Sequence, residues 1–460
     1  MKTILKSLAG NTLIFAIGNS VSILLTFIMV PFYTTVLSPA DFGVSDILTT
    51  TTAMLVPVVS LNVFSAIFRF SLDDENHTEI FTNGLLISLI GVFFSIVLSG
   101  ILTLLGINYS ILVGIYLGIT LLLNLFQNFT RGINRVKSFA ISGIIGTLSN
   151  VLSNVFLMWV FKLGLNGYLY SLIISALITT IFLFLNNKLY IYISFQKKSW
   201  LNTKKLLRYS IPMIPNSFAW WLTNDANKLI ILAFVGPSAN GIFAIANKIP
   251  TMISTIFGMF SNAWQMTAVQ EKDKSYTTDL YSLIFNLMFG GLLIISAVIV
   301  NLIQWFMGFY VSDKFYEAWK IVPILLMTSF FSNMSAFFGT TYLVSKKTKG
   351  LFTTTIWGTI INITLSFILV PLIGINGAAI SGAIGFFIVS FLRLKQTSEW
   401  IKIQIEWKLQ GILISGYLIL TIIEYINFSL IFTKVIIVII MMIFLLRYIK
   451  QIQKRERSVG

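Results

Sequence analysis

The 460-residue chain contains no cysteine and one histidine, His77. A disulfide framework, a thiol nucleophile and a Cys/His metal cluster are therefore excluded, and a Ser-His-acid triad could be built only on His77. Charge is scarce as well. Asp, Glu, Lys and Arg together make 10% of the residues, less than half the share of an average soluble domain. Apolar residues, by contrast, make 56%, with 40 phenylalanines spread along the whole length and a mean hydropathy of +0.88. A soluble domain could not hide that much apolar surface, so the composition reads as an all-α polytopic membrane protein with lipid as the solvent for most side chains. Neither a metal nor another cofactor is expected.

Crossing about 30 Å of hydrocarbon takes around 20 apolar residues. Stretches of that length occur fourteen times, at 10–36, 43–67, 81–105, 110–129, 139–161, 167–187, 209–235, 240–266, 280–307, 319–343, 352–372, 375–394, 408–426 and 428–447. The start, Met1 to Ala16, resembles a signal peptide but lacks a small-residue cleavage site and runs apolar to Val36, so an uncleaved first span is expected. An even count puts both termini on one side. With that topology 26 of the 32 Lys and Arg lie on the side of the termini, four (Lys162, Lys314, Lys320, Lys434) lie on the other, and two (Lys228, Lys248) lie within spans. The positive-inside rule makes the terminal side cytoplasmic. Orientation signals thus account for most of the net charge of +16, and no nucleic-acid partner is expected. His77, beside Asp73, Asp74 and Glu75, is expected to be solvated.

The longest hydrophilic insert, Asn186 to Arg208, holds six basic residues and no acidic ones, and contact with anionic lipid heads is expected there. It divides the chain into halves of similar hydropathy, and two short signatures recur across it. Leu37-Ser38-Pro39-Ala40-Asp41-Phe42-Gly43 and Val235-Gly236-Pro237-Ser238-Ala239-Asn240-Gly241 place Pro and Gly in register at an offset of 198. Leu163-Gly164-Leu165-Asn166-Gly167 matches Ile373-Gly374-Ile375-Asn376-Gly377. Six spans separate the copies, so the expected plan is two six-helix lobes related by a parallel pseudo-two-fold, with transport sites near their interface. The expected divisions are 1–187 for the first lobe, 188–208 for a basic cytoplasmic linker, 209–396 for the second lobe, and 397–460 for two further helices with a basic tail.

Span seven has two unlike faces. On a helical wheel Asn216, Ser217, Trp220, Trp221, Asn224, Asp225, Asn227 and Lys228 fill one half, and apolar residues fill the other. A charge near the bilayer centre costs roughly 2.5–3.5 kcal/mol, so Asp225 and Lys228 face a wet cavity or each other. If they are a purely structural pair, their double replacement by Ala leaves no unpaired charge. Span eight aligns Lys248, Thr251, Thr255, Met259 and Asn262, with Lys248 either in the cavity or reaching an interface. Span one aligns Asn11, Asn19, Ser22, Thr26 and Tyr33, and Pro31 breaks it toward its outer end; this stripe either lines a cavity or bonds to neighbouring helices. Gly377, Ser381 and Gly385, at i, i+4 and i+8, are expected to allow close helix packing.

The segment Phe32 to Arg69, with the Leu37 to Gly43 signature and Phe68-Arg69-Phe70, resembles the opening of bacterial polysaccharide repeat-unit flippases. Asp225 to Lys248, containing Asp-Ala-Asn-Lys-Leu-Ile-Ile-Leu and Gly241-Ile242-Phe243-Ala244-Ile245-Ala246-Asn247-Lys248-Ile249, is similar to the seventh-to-eighth-helix segment of that family. Those proteins belong to the multidrug/oligosaccharidyl-lipid/polysaccharide (MOP) exporter superfamily. The resemblance implies a multi-pass protein of the bacterial cytoplasmic membrane, acting as a monomer. It would move an undecaprenyl-pyrophosphate-linked oligosaccharide from inner to outer leaflet by alternating access, with H+ or Na+ as coupling ion. Where the family often has Asp followed directly by Arg, this chain has Asp225 with Lys228 three residues on. Lys248, Lys228, Asp225, Arg69, Asn224, Trp220, Asn216, Asn19, Thr26 and Thr255 are the expected cavity and substrate-binding residues.

A drug or cation antiporter of the same superfamily would share the architecture, but a cation cavity would be richer in carboxylates than Asp225 and Asp46. A membrane glycosyltransferase or polymerase would need placed carboxylates on a sizeable outer loop, whereas the segment near Gly308 to Glu317 offers only Asp313 and Glu317. An enzyme is therefore not expected. The topology is testable in this naturally cysteine-free chain. Cysteines introduced at Lys197 and Lys454 should react with an impermeant thiol reagent only from the cytoplasm, and one at Ser238 only from outside.

Overall fold

The computed structural model describes residues 24–73, 76–197, 199–270, 277–345, 347–426 and 431–459. Among them every long element is a helix, and the chain divides into two compact units with the boundary between Leu229 and Ile230. Eleven of the described helices are long and apolar enough to cross a membrane, and a bent pair makes a twelfth. The first expected span is described only from Leu24.

The first unit contains α1 (Leu24–Val36), α2 (Pro39–Val59), α3 (Val63–Asp73), α4 (His77–Leu104), α5 (Ser110–Gly132), α6 (Val136–Asn154), α7 (Gly164–Asn186), α8 (Trp200–Ser210) and most of α9 (Ile214–Phe234). The Leu37 to Gly43 signature is a helix start. Pro39 takes the first helical position, the Asp41 amide donates to Ser38 Oγ at 3.1 Å, and the Ser38 amide donates to Asp41 Oδ2 at 3.3 Å, closing a capping box.

Span two, expected as one helix over 43–67, is broken. Pro57 removes a backbone donor from α2, and Leu61 and Asn62 adopt left-handed conformations before α3 begins. α6 passes at Asn154 into a π-helical stretch, Val155–Val160. Val63, Ile67, Phe81, Leu125, Phe129 and Leu183 anchor the core of α3, α4, α5 and α7, with the Phe81 and Phe129 rings 4.5 Å apart. His77, expected in solvent, is instead half-buried. Opening α4 carries its ring edge-on to Phe129 and Tyr192 at 6.3 and 6.4 Å.

The second unit continues with α10 (Pro237–Ala246), α11 (Lys248–Gln270), α12 (Thr277–Tyr310), α13 (Val322–Val344), α14 (Thr348–Ile373), α15 (Ile375–Thr397), α16 (Trp407–Tyr425) and α17 (Ile431–Val459). Span eight, expected as one helix over 240–266, is the bent pair: α10 and α11 meet at 42°. Pro250 has no N–H to give the Ala246 carbonyl, so the ladder loses that rung and Lys248 opens the new helix, while Asn247 still donates to the Phe243 carbonyl at 2.9 Å and accepts from the Thr251 amide at 3.0 Å. Each repeated signature takes one local form in its own unit. Pro237 opens α10 as Pro39 opens α2. Gly164 and Gly374, at φ +52° and +61°, start α7 and α15 in a region closed to most side chains.

Close packing of α14 on α15 depends on missing side chains. A Cβ on Gly377 would strike the Leu369 carbonyl and come within 2.7 Å of the Val370 nitrogen, and one on Gly385 would lie 2.8 Å from Asn362 Cβ. The expected small-residue stripe is therefore a packing surface. Gly377→Ala should cost about 1–3 kcal/mol, read as a lower unfolding midpoint and less protein in the membrane. Gly143→Ala, on an exposed turn of α6 with open space around it, should leave the midpoint unchanged or raise it.

Candidate functional site

α9 is 21 residues long but is not among the helices apolar enough to cross on composition, because one of its faces is committed to polar groups. Trp221, Asp225 and Lys228, spaced at i, i+4 and i+7, share that face. On α2 the residues that meet them are Asp46 and Thr50, one turn apart.

Lys228 Nζ lies 3.1 Å from Asp225 Oδ1, 3.2 and 3.3 Å from the two oxygens of Asp46, and 3.3 Å from Thr50 Oγ1. Trp221 Nε1 donates to the Thr50 carbonyl at 3.1 Å. The side chains of Lys228, Asp46 and Asp225 are 13%, 14% and 26% exposed. One ammonium is thus shared by two carboxylates, leaving one excess negative charge in a largely enclosed place. The cluster sits roughly 10 Å along each helix from the end expected outside. Asp46 is 182 residues from Lys228 in sequence, and no local pattern announces the contact. The expected pair is in fact a group of three.

The other expected site residues are dispersed or lie outside the described residues. Asn224 is exposed on α9, and Arg69 is exposed on α3. Thr26 is exposed on α1. In the second unit Lys248 is half-buried at the start of α11, and Thr255 is exposed on that helix with its hydroxyl donating to the Thr251 carbonyl at 2.8 Å. Asn11, Asn19 and Ser22, and the side chains of Asn216 and Trp220, lie outside the described residues. Tyr33, from the polar stripe of span one, bonds a neighbouring helix: its hydroxyl accepts from Asn154 Nδ2 of α6 at 3.1 Å, and its ring meets Tyr168 edge-on at 5.5 Å.

A second interior cation was not singled out in the sequence. Arg393 of α15, counted there among the cytoplasmic basic residues, is 7% exposed. Its guanidinium donates to Thr354 Oγ1 at 3.1 Å, Thr355 Oγ1 at 2.9 Å and the Ser335 carbonyl at 2.7 Å. These neutral acceptors tie together α13, α14 and α15. A signal existed, because Arg393 extends the stripe of Gly377, Ser381, Gly385 and Val389 by one further turn. Among the described residues no group of three or more His, Cys, Asp or Glu is placed to hold a metal ion.

The family model described as polysaccharide biosynthesis protein matches residues 8–265, a stretch that contains Asp46, Asp225, Lys228 and Lys248. Among solved structures, the chain is similar to an inward-facing multidrug resistance MATE family transporter of the MOP superfamily. That likeness has 14% identity and a TM-score of 0.67, over 82% of this chain and 94% of that one. The outward-facing conformation of such a transporter gives 15% and 0.58, over 86% and 95%. A MOP superfamily transporter from Pyrococcus furiosus, described by the reverse polarity of its binding pocket, gives 15% and 0.60 over the same shares. At these identities the likeness shows the fold alone. The curated proteins contain no match to the chain.

The three-membered ion cluster makes a stability prediction that differs from that of a pair. Asp46→Asn leaves Lys228 neutralised by Asp225, so the protein should accumulate normally. Lys228→Ala leaves two half-buried carboxylates facing each other and should cost a few kcal/mol, up to about 3. Asp225→Ala combined with Lys228→Ala should not restore abundance, since Asp46 stays uncompensated, whereas adding Asp46→Asn should. Membrane protein levels and unfolding midpoints of the four variants check this order.

Proposed function

The chain belongs to the polysaccharide biosynthesis protein family, in the MOP exporter superfamily, and from that premise we propose that it moves a lipid-linked oligosaccharide across a bacterial cytoplasmic membrane. The family match carries the reading, because it spans Lys228 and Lys248. The substrate class is an undecaprenyl-pyrophosphate-linked repeat unit for a surface polysaccharide. The protein works as a monomer with both termini in the cytoplasm, its two six-helix lobes alternating access, and H+ or Na+ serving as coupling ion.

In this reading the cations take the diphosphate and the polar residues take sugar. Arg69, on the cytoplasmic side, meets the headgroup first, with a guanidinium suited to two phosphate oxygens at once. Lys228 and Lys248 are the residues this reading assigns to the diphosphate. Asn216, Trp220 and Asn224 of α9, Asn19 and Thr26 of span one, and Thr255 of α11 are the residues this reading assigns to the sugar.

One observation favours a second reading, export of cationic compounds by antiport: the two carboxylates around Lys228 leave negative charge in excess. Deletion of the gene separates the two. Loss of surface polymer with lipid-linked units retained on the inner leaflet is the expected outcome; normal polymer with new sensitivity to cationic drugs would establish antiport. Within the flippase reading, Lys248→Ala should abolish polymer export while Lys248→Arg keeps most of it, measured as surface polysaccharide at matched protein levels.

A further inference from the structure

We infer that Asp46 and Asp225 act as a built-in stand-in for the substrate's diphosphate, and that they set selectivity for a diphosphate over a monophosphate at Lys228. The inference rests on the lipid-linked reading above and adds the source of its headgroup specificity.

An ammonium group has three N–H donors. Those of Lys228 are engaged by oxygens from two separate carboxylates and by Thr50 Oγ1, all within 3.3 Å. Anionic oxygens on two centres are also what a diphosphate presents. In the resting protein the lysine is therefore occupied, and the cluster as a whole is negative. An approaching anion meets repulsion from the excess charge and must also displace a carboxylate that the chain holds in place. A tethered group competes at a high effective concentration.

A monophosphate ester, with one anionic centre, can replace only one of the two carboxylates and stays close to the other. A diphosphate can replace both partners and brings more negative charge to the same ammonium. Inorganic phosphate and monophosphate lipids are thus excluded by competition, with no steric filter required. The two carboxylates are not equivalent. Asp225 sits on the same helix as Lys228, at i, i+3, so a change of side-chain rotamer is enough to part the two and to bring them back. Asp46 comes from α2, so a diphosphate that takes Lys228 from Asp46 also releases a tie between α2 and α9. The contact then depends on the Trp221 bond to the Thr50 carbonyl and is weaker for the loss of the ion pair. Asp46 is accordingly the residue through which headgroup binding reaches the helix arrangement.

The test compares farnesyl diphosphate with farnesyl monophosphate, both radiolabelled, on the full chain in nanodiscs, with empty nanodiscs subtracted. The wild type should bind the diphosphate at least about tenfold more tightly than the monophosphate. In Asp46→Asn both should bind more tightly, the monophosphate gaining more, so that the ratio falls by about tenfold. Asp225→Asn should shift the ratio in the same direction and serves if the first variant accumulates poorly; each retains one carboxylate for Lys228. Diphosphate binding by the wild type with an unchanged ratio in both variants would overturn the selectivity role while leaving the substrate class intact. Binding of neither lipid by any form would overturn the lipid-linked reading itself.

Discussion

A charge carried into a membrane-spanning segment has to find its partners within the protein, because hydrocarbon supplies none. Lys228 finds three, and the arrangement decides much else. It commits a face of α9 to polar residues, at the expense of the apolarity a simple span would have. It gives α2 and α9 a charged contact between segments 182 residues apart. It also leaves a surplus: two carboxylates on one ammonium neutralise it and go one charge further. A site built only for stability would stop at neutrality, as the Glu424 and Lys434 pair does between α16 and α17.

Other interior polar groups obey the same rule by different means. Arg393 keeps its charge among hydroxyls and carbonyls, and the planar fork of the guanidinium spreads it over three helices. Asn286 of α12 receives the extended segment before α16, donating to the Gln404 carbonyl at 2.9 Å and accepting from the Glu406 amide at 3.0 Å. Tyr417 donates to the Pro323 carbonyl at 2.6 Å. Hydrogen bonds of this kind average well under about 1 kcal/mol each in membranes, so their effect lies in register: a helix rotated by one residue would lose them all. Apart from the Glu424 and Lys434 pair, these contacts of the second unit have neutral acceptors, whereas the cluster on α2 and α9 is made of groups that an ion can rearrange.

Much of this was legible in the sequence because it is local. Apolar run length gave the helical membrane class, and the Leu37 to Gly43 signature reads as a cap because Ser, Pro and Asp stand where a helix start needs them. The stripe at Gly377, Ser381 and Gly385 reads as packing because its spacing places it on one face. What was not legible depends on distance or on competition. Asp46 has no neighbour in sequence that would point it at Lys228. Pro57 and Pro250 were hidden inside apolar runs, and only the backbone shows that each interrupts a ladder. His77 followed a run of acids that suggested water, yet its place at the head of α4 put it against aromatic rings. Arg393 obeyed the positive-inside count so well that its burial went unremarked, although it lies in register with the small-residue stripe.

The Leu37 to Gly43 signature and the paired Gly-containing turns specify a chain path; they say nothing of cargo. The argument about cargo has to come from charge, where Lys228 weighs more than the surplus around it. A site meant for a small cation would present its carboxylates empty. Here the position between them is already filled by an ammonium tethered to the chain, and a free cation would have to expel a competitor that cannot diffuse away. An anion faces the opposite situation, because the cation it seeks is present and only the carboxylates must yield. They need yield only a short way, since Asp225 remains on the same helix turn to receive Lys228 again when the anion departs. On the reading proposed above, a lysine held between two carboxylates would lend its charge to a multiply charged anion and take it back. That would serve a transporter whose cargo is the proposed lipid diphosphate.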